Sequence, residues 1–256
     1  IRTDELRRVG TTSLGIAHGM TTPGIIDTRT RYVDYDTYFV FGRYPFPEHY
    51  TQTWPEHMRF VASGSFGMTR EQFSQRHRVR PPDILFFISR LEKEREFFQV
   101  AIDLAHTFPD RKIVVKPKYR PHNPYHFDFS SLTDNTPENL VFSWDDSYAL
   151  MLNCRYAISN GSSSVAAEAI QYGVMAYVWD DFPRDIPFYY RAFPEICVER
   201  TEQFTAHIRG VEDGTTDYPW DKLEDLIDLS GNVIYDVIRQ EMGLPVRGTE
   251  LERVAV

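Results

Sequence analysis

The sequence has few cysteines, no excess of basic residues and no long apolar run. Its two cysteines, Cys154 and Cys197, are far apart, lack metal-ligand spacing and lie in or beside apolar runs. We expect buried free thiols without a disulfide framework, which fits a reducing cytoplasm. No apolar run approaches the length of a transmembrane helix, and no signal-peptide pattern is recognisable.

The charge balance is acidic. Lysine and arginine total 28 against 37 aspartates and glutamates, giving a formal net charge of −9, and the two signs are interspersed. Nucleic-acid binding requires a concentrated basic surface, so this composition argues against it. A basic pocket for one nucleotide is still compatible, because net charge does not describe a single cleft.

Internal repeats are absent as well, and the apolar pattern predicts an α/β fold. From Asp83 onward, short apolar runs alternate with helical periodicity, which is typical of βαβ units. The expected strands are 84–88, 112–116, 140–142, 156–159 and 174–179. Right-handed crossovers would join them into one Rossmann-like parallel sheet with helices on both faces, and ligands bind outside the carboxyl ends of such strands.

The first part of the chain differs in character. Residues 1–80 contain short, turn-rich elements, which we interpret as the tail of a partial or reduced N-terminal α/β lobe on the acceptor side. Strands are expected within 11–17, 38–41 and 60–62. The polar stretch 70–82, which closes with two prolines, is the expected linker.

Two further segments complete the expected organisation. Residues 81–210 would form the Rossmann-like domain that binds a nucleotide sugar. Residues 211–256 show helical patterns around 223–227 and 233–242, which we expect to pack back across the lobes. Because the chain begins with Ile1, we expect it to be part of a larger chain or complex.

The strongest functional signal is the serine loop, defined here as residues 159–164. It consists of Ser159, Asn160, Gly161, Ser162, Ser163 and Ser164. A strand ends there, glycine permits close backbone approach, and hydroxyl and N–H groups gather where a helix begins. Such a helix start favours an anion, so we expect a phosphate site, whereas helix capping alone would need only one serine.

Glu168 follows on the same helix. Its carboxylate could accept hydrogen bonds from ribose hydroxyls, or it could simply face solvent. A second candidate region follows the strand 112–116, where Lys116, Arg120 and His122 could offset the charge of a pyrophosphate. A solvated loop with incidental charge is the alternative, and His126 competes with His122 for any histidine role.

His18 is the candidate catalytic residue. It follows the first expected strand and precedes a flexible loop, so it could act as general base on an acceptor hydroxyl. The alternative is a neutral core or capping histidine. Asp180 and Asp181 could contact substrate or hold a basic partner, but no third ligand suggests a metal. The aromatic run 188–190 is expected to pack in the core rather than bind sugar.

Taken in order, these segments resemble bacterial surface-polysaccharide glycosyltransferases of the GT-B type. The closest similarity is to the CDP-glycerol glycerophosphotransferases and to the transferases that use CMP-linked Kdo or sialic acid. The matching segments are His18-Gly19, Ser63-Gly64-Ser65, His122-Asn123-Pro124 and residues 159–163. Two departures stand out, because Asn123 interrupts the His-Pro pair and Asn160-Gly161 replaces an expected aspartate.

The resemblance implies a metal-independent glycosyltransferase that needs no cofactor. Lys116, His122, Glu168 and the serine loop would hold a nucleotide-sugar donor, with CMP- or CDP-linked sugars favoured. The acceptor would be a glycan or lipid-linked glycan of the capsule or lipopolysaccharide, reached in the cytoplasm or at the inner face of the membrane by peripheral association. A sugar-nucleotide epimerase or hydrolase, or a non-catalytic nucleotide- or glycan-binding module, are the alternatives.

Overall fold

The structure, a computed structural model, describes residues 3–20, 33–44, 54–89, 94–118, 136–161, 163–185 and 188–246. The chain divides into two compact units. The first combines Ile1–Phe73 with Lys222–Val256, and the second is Ser74–Asp221. The boundaries between the units lie after residues 73 and 221, whereas the domain boundaries expected from the sequence lie after residues 80 and 210.

The first unit contains a three-stranded parallel sheet in the order β1-β2-β3. The elements are α1 (Thr3–Arg8), β1 (Leu14–Ile16), β2 (Thr37–Val40) and β3 (Arg59–Ala62), followed by α2 (Arg70–Ser74) at the passage to the second unit. The three strands expected in this part of the chain are confirmed. The central strand β2 is buried throughout, which explains why its residues show no alternation of polar and apolar side chains.

The second unit is built on a parallel sheet in the order β6-β5-β4-β7-β8-β9. The elements are β4 (Ile84–Ile88), α3 (Glu94–Thr107), β5 (Ile113–Pro117), β6 (Leu140–Phe142), α4 (Ser147–Met151), β7 (Tyr156–Asn160), α5 (Val165–Gln171), β8 (Met175–Trp179), β9 (Cys197–Val198) and α6 (Thr201–Glu212). The predicted α/β fold with a parallel sheet is confirmed.

Helices cover both faces of this sheet. Phe97 of α3 packs against Phe86 and Trp179, whose side chains share one face. The crossover through α5 runs along the sheet in the opposite direction, so a right-handed connection puts α5 on the other face. Burial on both sides explains why the central strands are continuous apolar runs.

The C-terminal segment departs from the sequence expectation in one place. The helix predicted around 223–227 is wrong, because only a 3-10 helix forms at Trp220–Glu224. Backbone hydrogen bonds from Tyr44 N to Asp225 O and from Asp228 N to Phe41 O, both 2.8 Å, use groups that a helix would need. The second expected helix is confirmed as α7 (Ile234–Glu241).

Gly42 permits this close approach of the two chain segments. A Cβ atom added at Gly42 would lie 2.3 Å from Asp225 O and 2.4 Å from the carbonyl carbon of Leu226. Both contacts are to backbone, which cannot swing aside as a side chain could. A hydrogen is therefore the only substituent that fits at this position.

The C-terminal end of α5 is closed by Gly173 and Arg80. Gly173 has φ +79°, a conformation that favours glycine at the end of a helix. The Arg80 guanidinium donates to the carbonyl oxygens of Tyr172 (2.5 Å) and Gly173 (2.9 Å). These are carbonyls that have no partner within the helix.

Both cysteines are free thiols, as predicted. Cys154 is buried and Cys197 is half-buried. Burial raises the pKa of each thiol to about 12, which leaves almost no reactive thiolate at neutral pH.

A charged cluster lies at the amino end of the three-stranded sheet. The Asp36 carboxylate accepts hydrogen bonds from the Ser13 N–H (2.7 Å), the Ser13 hydroxyl (2.8 Å) and Arg7 Nε (2.7 Å). These hydrogen bonds hold the pKa of Asp36 far below its usual range, and the Ser13 N–H has the largest effect, followed by Arg7. A carboxyl with a depressed folded pKa contributes stability above its unfolded pKa, and this contribution is lost as the pH falls towards the folded value.

Asp36→Asn is therefore expected to lower the melting temperature at pH 7, with an effect that shrinks below about pH 4, near the unfolded pKa of an aspartate. Thermal unfolding of both proteins, followed by circular dichroism between pH 7 and pH 3, measures this. Asp217→Asn, at an exposed position, is the control and should change little. A difference between wild type and Asp36→Asn that is constant across this range would contradict the expectation.

Candidate functional site

The order of strands in the second unit reverses between β4 and β7. From β4 the chain crosses through α3 to β5 on one side, and from β7 it crosses through α5 to β8 on the other. In open parallel sheets such a switch point opens a crevice at the carboxyl ends of the strands, where ligands bind. The serine loop leaves β7 at this point.

Asn160 joins the two sides of the switch point. Its side chain is fully buried, and its Oδ1 accepts a hydrogen bond of 2.8 Å from the N–H of Ser89, the residue after β4. The sequence identified Asn160 as a member of the serine loop and as a departure from an expected aspartate, and its contact with Ser89 was not predicted. Because an amide oxygen accepts without carrying charge, it can be buried here at lower cost than a carboxylate.

Gly161 turns the chain out of β7 towards α5. Its φ of +73° lies in the region that favours glycine. Ser163 and Ser164 follow and are half-buried, whereas Ser162 lies outside the described residues. The predicted sequence of strand, glycine turn and helix is present.

The described serine hydroxyls differ in what they can offer a ligand. Ser164 Oγ donates its proton to Glu168 Oε1 at 2.8 Å, so only lone pairs remain. Ser163 Oγ accepts from Val165 N at 3.3 Å and keeps its proton available. Ser159 Oγ is fully buried without a hydrogen-bond partner among the described residues. Ser159 and Ser163 are therefore the better donors to a phosphate.

Glu168 is tied to its neighbours. Besides Ser164, it accepts a hydrogen bond of 2.5 Å from the Tyr148 hydroxyl of α4. The side chain is half-buried and links α4 to the first turn of α5, so it does not simply face solvent. Its contact with a ribose stays a prediction.

Lys116 lies on the same sheet face as Ser159. Both residues are in register with Phe87 of β4, one from each side. Two strand spacings separate them, which corresponds to about 10 Å. Lys116 Nζ lies 3.4 Å from Pro117 O at the end of β5. His122 lies outside the described residues, so its phosphate contact stays a prediction.

His18 belongs to the first unit. It follows β1 at the carboxyl edge of the three-stranded sheet, and its ring centroid lies 6.0 Å from that of Phe66. The ring is exposed, which excludes the core alternative. Its action as general base stays a prediction.

The aromatic run after β8 packs in the core, as predicted. Phe188, Tyr189 and Tyr190 are all buried. Sequence reasoning missed the role of the Tyr190 hydroxyl, which donates to Ser163 O at 2.8 Å and accepts from Ala167 N at 3.3 Å. Only a contact distant in sequence reveals this role, so no local pattern could have indicated it.

Asp180 holds a basic partner, one of the two roles expected for it. Arg191 Nε donates to its Oδ2 at 2.7 Å and Arg191 Nη2 to its Oδ1 at 2.9 Å. The Asp180 side chain is only 2% exposed, so this pair is shielded from solvent. Hydrogen bonding to Asp180 raises the pKa of Arg191.

Metal-ligating side chains are not grouped within the described ranges. No three His, Cys, Asp or Glu side chains there lie close enough to hold a metal ion. No helix in the described part of the chain is long and apolar enough to cross a membrane.

No protein-family profile and no curated protein sequence matches the chain. Several solved glycosyltransferase structures are similar. The glycotransferase of kitacinnamycin has a TM-score of 0.56 and 15% identity over 94% of this chain and 73% of its own. CalG4, the calicheamicin glycosyltransferase, has a TM-score of 0.51 and 14% identity over 98% of this chain and 70% of its own. The spinosyn forosaminyltransferase SpnP has a TM-score of 0.51 and 12% identity over 93% of this chain and 71% of its own. The chain therefore has an α/β, Rossmann-like GT-B fold.

Proposed function

We propose that the chain is a glycosyltransferase, or the donor-binding part of one, that moves a sugar from a nucleotide-activated donor to a glycan acceptor. The observation that carries this proposal is the reversal of strand order at β4 and β7, where Ser159 and Ser163 have hydroxyl protons that no described residue accepts. The similar fold of three glycosyltransferases supports it. CMP- or CDP-linked donors are favoured by the resemblance noted above.

In this proposal the donor phosphates lie over the serine loop. Hydroxyl and N–H donors of the serine loop (Ser159, Gly161, Ser162 and Ser163) would contact them, and Lys116 with His122 would supply positive charge. These groups stabilise the negative charge that develops on the departing nucleotide, which is electrostatic catalysis without a bound cation. Ser164 and Glu168 would present acceptor oxygens to the ribose hydroxyls.

The transfer breaks the bond between the anomeric carbon of the sugar and the phosphate oxygen. A bond forms between that carbon and the acceptor oxygen, whose proton His18 takes as general base. The electron pair of the broken bond remains on the nucleotide phosphate. A lipid-linked acceptor would bring the protein to the inner face of the membrane, and a soluble glycan would leave it in the cytoplasm.

A thermal-shift screen with CMP, CDP, UDP and GDP tests the donor class. A ligand that binds only the folded state raises the melting temperature, and at equal concentration the tighter ligand raises it more. CMP or CDP is expected to stabilise most. Incubation with a matching nucleotide sugar but no acceptor separates the epimerase alternative, since an epimerase changes the donor alone.

Ser163→Ala is expected to weaken nucleotide binding about 10- to 100-fold, because one hydrogen bond to a charged group contributes about 1.5–3 kcal/mol. Calorimetric titration measures this, and Ser162→Ala with Ser163→Ala in one chain should bind more weakly still. Ser230→Ala is the matched control, since that hydroxyl donates to Asp228 in the first unit. Unchanged affinity in both serine-loop variants would remove the loop from the donor site.

A further inference from the structure

Tyr190 contacts the serine loop and α5 with a single atom. Its hydroxyl donates to Ser163 O and accepts from Ala167 N, so it spans the turn that connects the loop to the helix. The Ala167 N–H belongs to the first turn of α5, whose amides lack helical acceptors because the carbonyls four residues earlier lie before the helix. The side chain is fully buried, and burial raises the pKa of Tyr190, so the hydroxyl keeps its proton.

The backbone of Tyr190 is itself fixed by the strands β8 and β9. Cys197 Sγ at the start of β9 donates to Tyr190 O at 3.1 Å. The neighbouring Arg191 forms the paired hydrogen bonds with Asp180, directly after β8. The 3-10 helix Tyr189–Ala192 is therefore attached to β8 and β9, the last two strands of the sheet, and Tyr190 connects it to the serine loop.

The role that we assign to this attachment follows from Ser159, whose hydroxyl is fully buried at the end of β7. Ser159 shares a sheet face with Val178 and Cys197, the face on which Tyr190 and α5 lie. Its Oγ has no hydrogen-bond partner among the described residues, although such an atom is costly to leave unpaired. A bound ligand would supply the missing partner.

We propose that Tyr190 is a positioning residue for donor binding, one that fixes the serine loop so that the Ser159 and Ser163 hydroxyls reach the same phosphate. This inference rests on the proposed function, because it assigns a supporting residue to that same site. A phenol suits the role, since one rigid side chain can donate and accept at once.

Tyr218 provides a matched control for a merely structural role. It is a buried tyrosine of the same unit, and its hydroxyl donates at 2.6 Å to the oxygen of Ala176 near the amino end of β8, whereas the serine loop follows the carboxyl end of β7. Phenylalanine at either position removes one oxygen. In Tyr218→Phe the Ala176 carbonyl loses this donor, and in Tyr190→Phe both Ser163 O and Ala167 N lose their partner. Both variants should therefore melt a few degrees below wild type.

Calorimetric titration of wild type, Tyr190→Phe and Tyr218→Phe with CDP separates the two roles. We expect Tyr190→Phe to bind about tenfold more weakly, with Tyr218→Phe binding as wild type does. Equal affinities in all three proteins, or the same loss in both variants, would overturn the positioning role. So would a Tyr190→Phe protein that fails to fold while Tyr218→Phe folds.

Amide hydrogen exchange separates failure of this inference from failure of the proposed function. If wild type binds none of the four nucleotides, the proposed function falls, and donor positioning falls with it. Exchange in peptides covering residues 163–171 is expected to be faster in Tyr190→Phe than in wild type, and unchanged in Tyr218→Phe. Unaltered exchange in Tyr190→Phe would overturn the role of Tyr190, whatever the ligand.

Discussion

Arg191→Met is expected to destabilise the second unit by about 3 kcal/mol, the low end for breaking a buried pair, because Arg191 itself remains 21% exposed. The Asp180 side chain would stay buried without its two hydrogen bonds from Arg191, with only the exposed Arg184 near it, and a buried carboxylate in that state is costly. For a domain of this size, the loss corresponds to a fall in melting temperature of about 6–12 °C. Differential scanning calorimetry measures it.

Two further variants test whether the buried charge of Asp180 causes the loss of stability in Arg191→Met. Arg184→Met removes a 68% exposed arginine that lies 3.7 Å from the same carboxylate, and it should cost less than about 1 kcal/mol. Asp180→Asn combined with Arg191→Met removes the unpaired charge, so it should recover part of the lost stability. If Arg191→Met and Arg184→Met melt alike, the pair contributes no more than an exposed one.

Gly42→Ala should loosen the contact between the N-terminal and C-terminal segments of the first unit. The added methyl would meet backbone atoms of Asp225 and Leu226 at 2.3–2.5 Å, so the two chain segments must separate. The hydrogen bonds from Tyr44 N and to Phe41 O would lengthen or break. Overpacking of this kind typically costs about 1–3 kcal/mol before such losses are added.

Limited proteolysis detects this loosening. Cleavage within residues 222–246 is expected to accelerate in Gly42→Ala, because proteases act on transiently opened segments. Gly10→Ala is the control: it lies in the same unit at φ +72°, and an added Cβ would meet no atom within 4 Å. Gly10→Ala should lose some stability because alanine disfavours a positive φ, but it should not open the C-terminal segment. Equal cleavage rates in the two variants would refute the steric argument.

The central sheet could be predicted because its strands are buried on both faces. Ile84–Ile88 and Leu140–Phe142 appear with the predicted bounds, since an uninterrupted apolar run has few other stable environments. The helix α6 was missed although Phe204, Ile208 and Val211 recur along it at helical spacing, so the sequence did carry a signal for it.

Of the candidate site, only the features that depend on residues adjacent in sequence could be predicted. The glycine turn and the helix start at the end of β7 follow from neighbouring residues. The contacts of Asn160 with Ser89 and of Tyr190 with Ser163 join residues 71 and 27 positions apart. Such pairs depend on the order of strands in the sheet, and local periodicity carries no information about that order.

The helix α5, which follows the serine loop, depends on contacts outside itself for its stability. Its seven residues are fewer than the roughly 12–15 that an isolated helix needs in water. Tyr190 holds its first turn, and Arg80 holds its last carbonyls. A synthetic peptide of residues 159–173 should therefore be unstructured, and grafting the loop onto another scaffold would require transplanting the tyrosine and the arginine with it.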